Sequence, residues 1–271
     1  MNPNRKLRQI SVFLVLTICV SVAVPALAQD ALTGEVIDLY GEAFVLDSET
    51  GEWLALAVGN SVREGDRIKT GDEGTVTLLL ERDMIRMGPA TEVVLSDLTI
   101  TREEGEDGTF RETTTTVLTL ILGKVYARVK ELRGDSLFEV RTEISIAGVR
   151  GTEFSVEALP MTEPDPAPQG TGENGGAWPT LSMATVVTRW GPVEYVSIDE
   201  NGEPIGPEVN IGNRRYSNVT SGVPATDPAP APRDALQALT TVMYDFDDLY
   251  DQIRGMGGSH GGSSSGSGSH H

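Results

Sequence analysis

Hydrophobic and polar residues alternate over short stretches from about Leu32 to Thr220, and residues typical of turns, such as Gly, Asp and Asn, separate these stretches. Val76, Leu78 and Leu80, for example, fall on one parity. A period of two is typical of β-strands that are buried on one face. The pattern therefore predicts an all-β fold for this part of the chain.

The apolar face changes side within one of these stretches. Leu118, Leu120 and Leu122 share a face up to Gly123, after which Val125 begins a run on the opposite parity. A change of parity at a glycine indicates a β-bulge or a sharp corner. Strands that bend in this way indicate a coiled or barrel-like sheet rather than a flat one.

A helical period replaces the strand period near the C-terminus. Over residues 234–254, apolar residues recur at steps of three and four and predict one amphipathic α-helix. This apolar stripe consists of Leu236, Leu239, Met243, Phe246, Leu249 and Ile253. We expect the stripe to dock on the β-domain; the alternative is partner binding or self-association through the helix. The other face of the helix is acidic and argues against binding to an anionic membrane.

Three further segments follow neither period. Residues 157–180 are rich in Pro and Gly and predict a mobile insertion, after which the strand pattern resumes. Residues 223–233 predict an extended Pro/Ala linker, and residues 255–271 a flexible Gly/Ser-rich tail. The expected organisation is one β-domain over residues 29–222, followed by linker, helix and tail.

Residues 1–28 have the pattern of a secretory signal peptide. They combine basic residues, an apolar run over residues 10–24, and a small residue on each side of Leu27. The alternative is an uncleaved membrane anchor, but the run is shorter than the roughly 20 residues that a spanning helix needs. We therefore expect cleavage before Gln29, a periplasmic or secreted bacterial protein, and no stable membrane insertion afterwards.

Composition excludes several kinds of chemistry from the expected β-domain. The one cysteine, Cys19, lies in the signal segment, and the three histidines, His260, His270 and His271, lie in the tail. Ser–His–Asp and Cys–His catalysis and an ordinary zinc site are therefore not expected, and neither is a cofactor. The formal net charge of −19 argues against nucleic-acid binding.

Several short motifs follow one another in a particular order within the predicted β-domain. They are Gly65, Asp66, Ile68 and Thr70; Gly88 and Pro89; Leu120 to Val125, including Gly123; Phe138, Val140 and Thr142; and Val149 to Phe154. In this order they resemble the FecR domain, the periplasmic module of bacterial regulators linked to iron uptake. The resemblance covers roughly residues 33–222 and is specific because of the order of the motifs.

The resemblance implies a β-rich stack of bent strands wound helically, which is similar to a β-solenoid. The best-known members carry a cytoplasmic anti-sigma segment and a membrane helix before this domain. Here nine residues precede the apolar run. The expectation is therefore a stand-alone, exported FecR-like protein without the sigma-factor-binding part.

The stretch AGVRGTEFSV, residues 147–156, predicts a corner between strands. Gly148 and Gly151 allow backbone angles that other residues avoid, and Thr152 can bond to a nearby turn amide. Arg150 has the parity of Phe154 and is predicted to point inward, where it needs several acceptors. The alternative is that Arg150 contacts a ligand.

The leading functional expectation is a non-enzymatic module that binds a protein partner in envelope signalling or surface organisation. One alternative is a polysaccharide-active enzyme that uses the carboxylates of Asp66, Asp72, Glu81 or Asp83. Another is a matrix or adhesin component assisted by calcium in the acidic loop of residues 102–108, although the spacing of that loop matches no known calcium motif.

Overall fold

The computed structural model describes residues 28–48, 50–104, 109–160 and 181–257. In these residues the chain forms eighteen strands and then one helix, so the expected all-β fold with a C-terminal helix is confirmed. The first nine strands are β1 (Ala28–Ala31), β2 (Gly34–Tyr40), β3 (Ala43–Leu46), β4 (Trp53–Ala55), β5 (Ser61–Val62), β6 (Arg67–Thr70), β7 (Thr75–Leu80), β8 (Asp83–Met87) and β9 (Glu92–Glu104). The remaining elements are β10 (Phe110–Arg128), β11 (Leu137–Arg141), β12 (Ser145–Val149), β13 (Glu153–Pro160), β14 (Leu181–Trp190), β15 (Val193–Ile198), β16 (Pro204–Ile211), β17 (Arg215–Thr220), β18 (Ala229–Pro230) and the helix α1 (Arg233–Gly257).

The strands form two sheets that share β10. The order in the first sheet is β4-β3-β6-β9-β10-β11-β12-β15-β16, and β1 pairs with the C-terminal part of β9. The order in the second sheet is β5-β2-β7-β8-β10-β13-β14-β17-β18. These ladders do not return to their starting strands, so both sheets are open.

A helically wound, solenoid-like stack is not confirmed. The strand pairs are antiparallel except for β10 with β11, whereas the coils of a β-helix stack their strands in parallel. The hydrophobic period shows which face of a strand is buried, but not which strand lies beside it. Antiparallel neighbours and parallel coils therefore give the same sequence pattern.

The chain crosses between the sheets at Gly123 in β10. Residues before it pair with β9 and β11 in the first sheet, and Gly123–Arg128 pair with β13 in the second. The φ angle of Gly123 is 89°, and a Cβ atom there would lie 2.4 Å from Oγ1 of Thr91. Only glycine fits this crossing, because a side chain would clash and the angle is unfavourable.

The main core lies between the inner faces of the two sheets. Phe138 of β11 and Phe154 of β13 are fully buried there, and their rings meet edge to face with centroids 6.3 Å apart. The T-shaped geometry is one that aromatic pairs prefer. Residues from two of the sequence motifs thus join the two sheets.

Helix α1 covers the outer face of the second sheet. Leu239, Met243 and Phe246 are fully buried in a second apolar cluster with Met84 of β8 and Val187 of β14. The centre of the apolar stripe therefore docks on the β-domain, as expected. Among the residues described, no helix has the length and apolar character needed to cross a membrane.

Some segments that were expected to be irregular contain strand. β13 continues to Pro160, four residues into the expected insertion, because Glu157 and Ala158 pair with both β10 and β14. β18 lies in the expected linker and pairs with β17. Residues 1–27, 161–180 and 258–271, which hold most of the predicted signal peptide, insertion and tail, lie outside the described residues.

Candidate functional site

The Gly65–Asp66 motif forms a turn that is fixed to β9. The N–H of Gly65 donates to the carbonyl of Leu95, and the N–H of Leu95 donates back to the carbonyl of Asp66, at 2.7 and 2.9 Å. The carboxylate of Asp66 accepts the N–H of Arg63 at 2.9 Å. Asp66 thus closes its own turn, a common use of Asp in loops.

The Gly88–Pro89 motif meets the Gly123 crossing. Gly88 donates its N–H to the carbonyl of Lys124 at 2.8 Å. The hydroxyl of Thr91 accepts the N–H of Lys124 at 2.9 Å and donates to the carbonyl of Pro89 at 3.1 Å. These residues brace the crossing of β10 and leave no free polar group for a ligand.

The V-R-G-T motif, residues 149–152, forms a corner between β12 and β13. Gly151 has a φ of 96°, and a Cβ atom there would lie 2.9 Å from the Cα of Glu131. Thr152 is buried, and its backbone exchanges two hydrogen bonds with Val129, at 2.9 and 3.1 Å. Gly148 does not have the expected role: its φ is not positive, and the nearest atom to an added Cβ is 3.9 Å away.

Arg150 is exposed and does not point inward as predicted. Its Nη1 donates a long hydrogen bond of 3.4 Å to the carbonyl of Gly134. The prediction assumed that the alternation of inward and outward side chains continues from Phe154 back to Arg150. The corner interrupts both strands, since β12 ends at Val149 and β13 starts at Glu153, so parity is not maintained across it. Arg150 remains available for the alternative role of ligand contact.

The corner packs on the turn that follows β14. The hydroxyl of Thr152 donates to the carbonyl of Pro192 at 3.0 Å. Gly191 has a φ of 83°, and a Cβ atom there would lie 2.6 Å from the carbonyl oxygen of Gly151. The N–H of Gly191 donates to Oδ1 of Asn213 at 2.8 Å. Three separate turns are therefore held together around the end of β14.

A β-bulge sets the direction of the side chains at this end of β14. Glu153 pairs with Trp190, but the next residue, Phe154, pairs with Thr188, so Arg189 is the extra residue. A bulge redirects side chains locally and is common beside functional sites. Trp190 is 63% exposed at this point, which is unusual for a large aromatic residue on a strand.

We refer to Arg150, Glu153, Arg189, Trp190 and Arg214 as the Trp190 surface. Two shallow cavities of about 680 and 600 Å³ meet there, and Glu153, Arg189 and Trp190 line both. Arg150 lines the first cavity and Arg214 the second. Trp190 therefore stands between two arginines that come from different turns.

The arginines of the Trp190 surface differ in their pairing. Glu153 accepts hydrogen bonds from Arg189 and, at 3.1 Å, from Arg128. Arg150 and Arg214 have no carboxylate within ion-pair distance among the described residues. Two exposed guanidinium groups are thus left free to bind an anionic group, which their planar donor geometry favours.

The predicted carboxylates do not form one site. Glu81 and Asp83 line a cavity of about 630 Å³, whereas Asp66 lines a different one and Asp72 lines neither. Burial raises the pKa of Asp83 from 3.8 to about 6, although its carboxylate accepts the N–H of Lys130 at 2.8 Å. Burial and repulsion from Glu112 raise the pKa of Glu81.

The structure gives no support to the metal alternative. In the part of the chain that is described, no group of three or more acidic, His or Cys side chains is arranged to hold a metal ion. Residues 105–108 of the acidic loop lie outside that part.

Sequence reasoning missed Trp190, Arg189 and Arg214. The available signal was the stretch TRWGP, in which an aromatic residue directly precedes a Gly-Pro turn. A tryptophan at the end of a strand has fewer neighbouring residues to cover it than one in the middle of a strand. The position of Arg214 had no sequence signal, since it depends on how the turn after β16 folds back.

Residues 66–162 match the family model described as FecR protein. Two crystal structures of a candidate anti-sigma factor from Parabacteroides distasonis each give a TM-score of 0.42 at 13% identity, over 68% of this chain and 74% of that chain. At this TM-score the likeness supports no conclusion about the present chain. No curated protein matches the sequence significantly. The matched residues run from β6 to the end of β13 and contain the Gly123 crossing and the V-R-G-T corner, so the similarity to the FecR family lies in this segment of the chain.

Proposed function

We propose that this protein is a non-enzymatic, exported binding module of the bacterial cell envelope, which acts through contact with another protein in signalling or surface organisation. The FecR segment supports a regulatory role, because proteins of this family are signalling regulators rather than enzymes. The signal-peptide pattern of residues 1–28 supports export.

The observation that carries the proposal is the exposed Trp190, which lines one cavity with Arg150 and a second with Arg214. Tryptophan and arginine are the residues that most often dominate the energy of protein contacts. The backbone at Trp190 is fixed by a bulge and by three hydrogen-bonded turns. A rigid aromatic residue loses little entropy on binding, and this lowers the cost of association.

Site-specific photo-crosslinking in the native bacterium tests this function. Trp190 is replaced by p-benzoylphenylalanine, and Val58, which is 61% exposed and lines neither cavity of this surface, is replaced in the matched control. We expect a discrete protein adduct in the envelope fraction from position 190 and none from position 58. Failure to form an adduct at position 190, or the same adduct from both positions, contradicts the proposal.

A second candidate function is carboxylate catalysis on envelope polysaccharides. It is favoured by Asp83, since a carboxyl group with a pKa of about 6 can act as a general acid near neutral pH. Reducing-end release from purified envelope polysaccharides tests it, with Asp83→Asn and the control Asp72→Asn. Turnover that is lost only in Asp83→Asn would replace the binding function, and no turnover with any substrate would remove the candidate.

A further inference from the structure

We infer that the Trp190 surface binds an acidic peptide segment of its partner, with an apolar residue of the peptide against Trp190 and carboxylates on Arg150 and Arg214. This inference rests on the proposed function and specifies the chemistry of the partner.

The charge of this surface is opposite to that of the whole chain. Five basic and three acidic side chains line the two cavities, whereas the formal net charge of the chain is −19. The basic residues are Arg128, Lys130, Arg150, Arg189 and Arg214, and the acidic ones are Glu131, Glu153 and Asp247. A basic surface on an acidic protein fits an anionic partner.

Some of these basic side chains are already paired with neighbouring carboxylates. Glu153 holds Arg128 and Arg189, and Asp247 accepts a second hydrogen bond from Arg128 at 2.6 Å. The arginines available to a ligand are therefore Arg150 and Arg214, one in each cavity. Lys130, the remaining cation of the first cavity, lies with its ammonium group 5.1 Å from the ring centroid of Tyr250. A ligand has to present two separated anionic groups to use both arginines.

Apolar side chains also line the two cavities, beside the charged ones. Trp190 is common to both cavities, Pro192 lines the first, and Leu236 of α1 lines the second. A ligand that contacts both arginines and Trp190 therefore combines two anionic groups with an apolar group between them. An extended peptide provides this pattern, because it rises about 3.3 Å per residue and can place acidic residues on both sides of a central apolar one.

The long-range field of the chain opposes an acidic ligand, but screening limits its reach. At physiological ionic strength the Debye length is about 8 Å. A bound carboxylate therefore interacts mainly with the guanidinium that it contacts. Arginine also binds carboxylates with two parallel hydrogen bonds, which lysine cannot do.

Fluorescence anisotropy of a rhodamine-labelled peptide with the sequence Glu-Glu-Phe-Glu-Glu tests the inference on the purified full chain. The control peptide, Gln-Gln-Phe-Gln-Gln, has the same shape without the charge. We expect the acidic peptide to bind at least tenfold more tightly than the amide peptide, and its affinity to fall as the salt concentration rises. Equal binding of the two peptides, or no binding of the acidic one, overturns the inference.

Variants of the chain locate the binding. We expect each of three substitutions, Arg150→Ala, Arg214→Asn and Trp190→Ala, to weaken the affinity for the acidic peptide by about tenfold or more. Asn is chosen at position 214 because the φ of Arg214 is 56°, a region that Asn tolerates. Arg63→Ala removes an exposed cation that lines neither cavity, and it should leave the affinity unchanged. A loss in Arg63→Ala equal to that in Arg150→Ala shows non-specific charge attraction and contradicts the site.

These experiments separate a polysaccharide ligand from a peptide ligand. They also separate failure of this inference from failure of the proposed function. If polygalacturonate binds more tightly than the acidic peptide and Arg150→Ala abolishes this binding, the surface serves a sugar acid, and the peptide inference is wrong. If no peptide binds but the crosslink from position 190 persists, the inference fails and the proposed function stands. If no peptide binds and no crosslink forms from position 190, both the inference and the proposed function are wrong.

Discussion

Arg86 in β8 donates a hydrogen bond of 2.6 Å to the carboxylate of Asp245 in α1, and so joins positions 159 residues apart in the sequence. The same guanidinium lies 5.4 Å from the ring centroid of Phe246 and donates from Nε to the hydroxyl of Thr77. Arg128 contacts the other side of this cluster, with its guanidinium 5.8 Å from the same ring. The helix is therefore part of the β-domain and not an independent appendage.

The anchoring of α1 depends mainly on Phe246. We expect Phe246→Ala to lower the free energy of unfolding by about 3–5 kcal/mol, since the ring is fully buried and its removal leaves a cavity. Tyr244→Ala is the matched control, because Tyr244 is 62% exposed on the same helix, and it should change stability by less than about 0.5 kcal/mol. Urea unfolding curves measure both, and equal midpoints for the two variants would mean that the helix is not docked.

The two glycines of the V-R-G-T corner should respond differently to the same substitution. Gly151→Ala is expected to cost more than about 1 kcal/mol, because of its positive φ and the close approach of Glu131. Gly148→Ala should be neutral, since the added Cβ has room and the backbone is that of an ordinary strand. Thermal melts of the two variants, compared with wild type, decide this, and a Gly148→Ala variant as unstable as Gly151→Ala would contradict the geometry.

Asp83 should make stability fall as pH rises. Its pKa is raised from 3.8 to about 6 on folding, so the folded chain binds more protons than the unfolded chain between these pH values. The free energy of unfolding that depends on Asp83 therefore decreases from about pH 4 to pH 6 and stays low above that. Glu81, Arg82 and Lys130 are the charged groups that act on it.

Asp83→Asn isolates this contribution from the other carboxylates. Asn keeps an oxygen that can accept the N–H of Lys130 but cannot ionise. We expect the variant to be more stable than wild type at pH 7.5, by more than at pH 4.5, in urea unfolding at both pH values. A difference that does not depend on pH would show that Asp83 has an ordinary pKa.

Export predicts a new N-terminus. We expect the mature chain to begin at Gln29 and to be recovered with the soluble contents of the envelope. Mass spectrometry of the intact protein from the native bacterium measures this. Protein that retains residue 1 or 2 and sediments with membranes would show that the apolar run is an anchor.

The sequence predicted local features well and long-range ones poorly. Alternation gave the strands and their buried faces, and the three-four spacing gave the helix, because each depends on residues within a few positions of each other. The order of strands in the two sheets depends on contacts between distant segments, such as Glu153 with Trp190. No local pattern records these contacts, and the wound arrangement was inferred from the resemblance together with the parity change at Gly123.

Arg150 and Trp190 show the same limit at the candidate site. The corner motif was recognisable from its glycines, but the direction of Arg150 depended on where the two strands stop. Trp190 is exposed because a bulge and the Gly191 turn end its strand against the corner. Both properties arise only when the turns after β12, β14 and β16 meet.

The shared strand β10 also determines where the chain tolerates insertions and deletions. One residue added or removed in β10 between the crossing and either end would turn every side chain beyond it to the opposite face of its sheet, and would place charges in the core. The segment between β13 and β14, residues 161–180, joins two strands that already lie side by side. Its length can change without altering the register of either sheet, so variation among related chains is expected to accumulate there and not in β10.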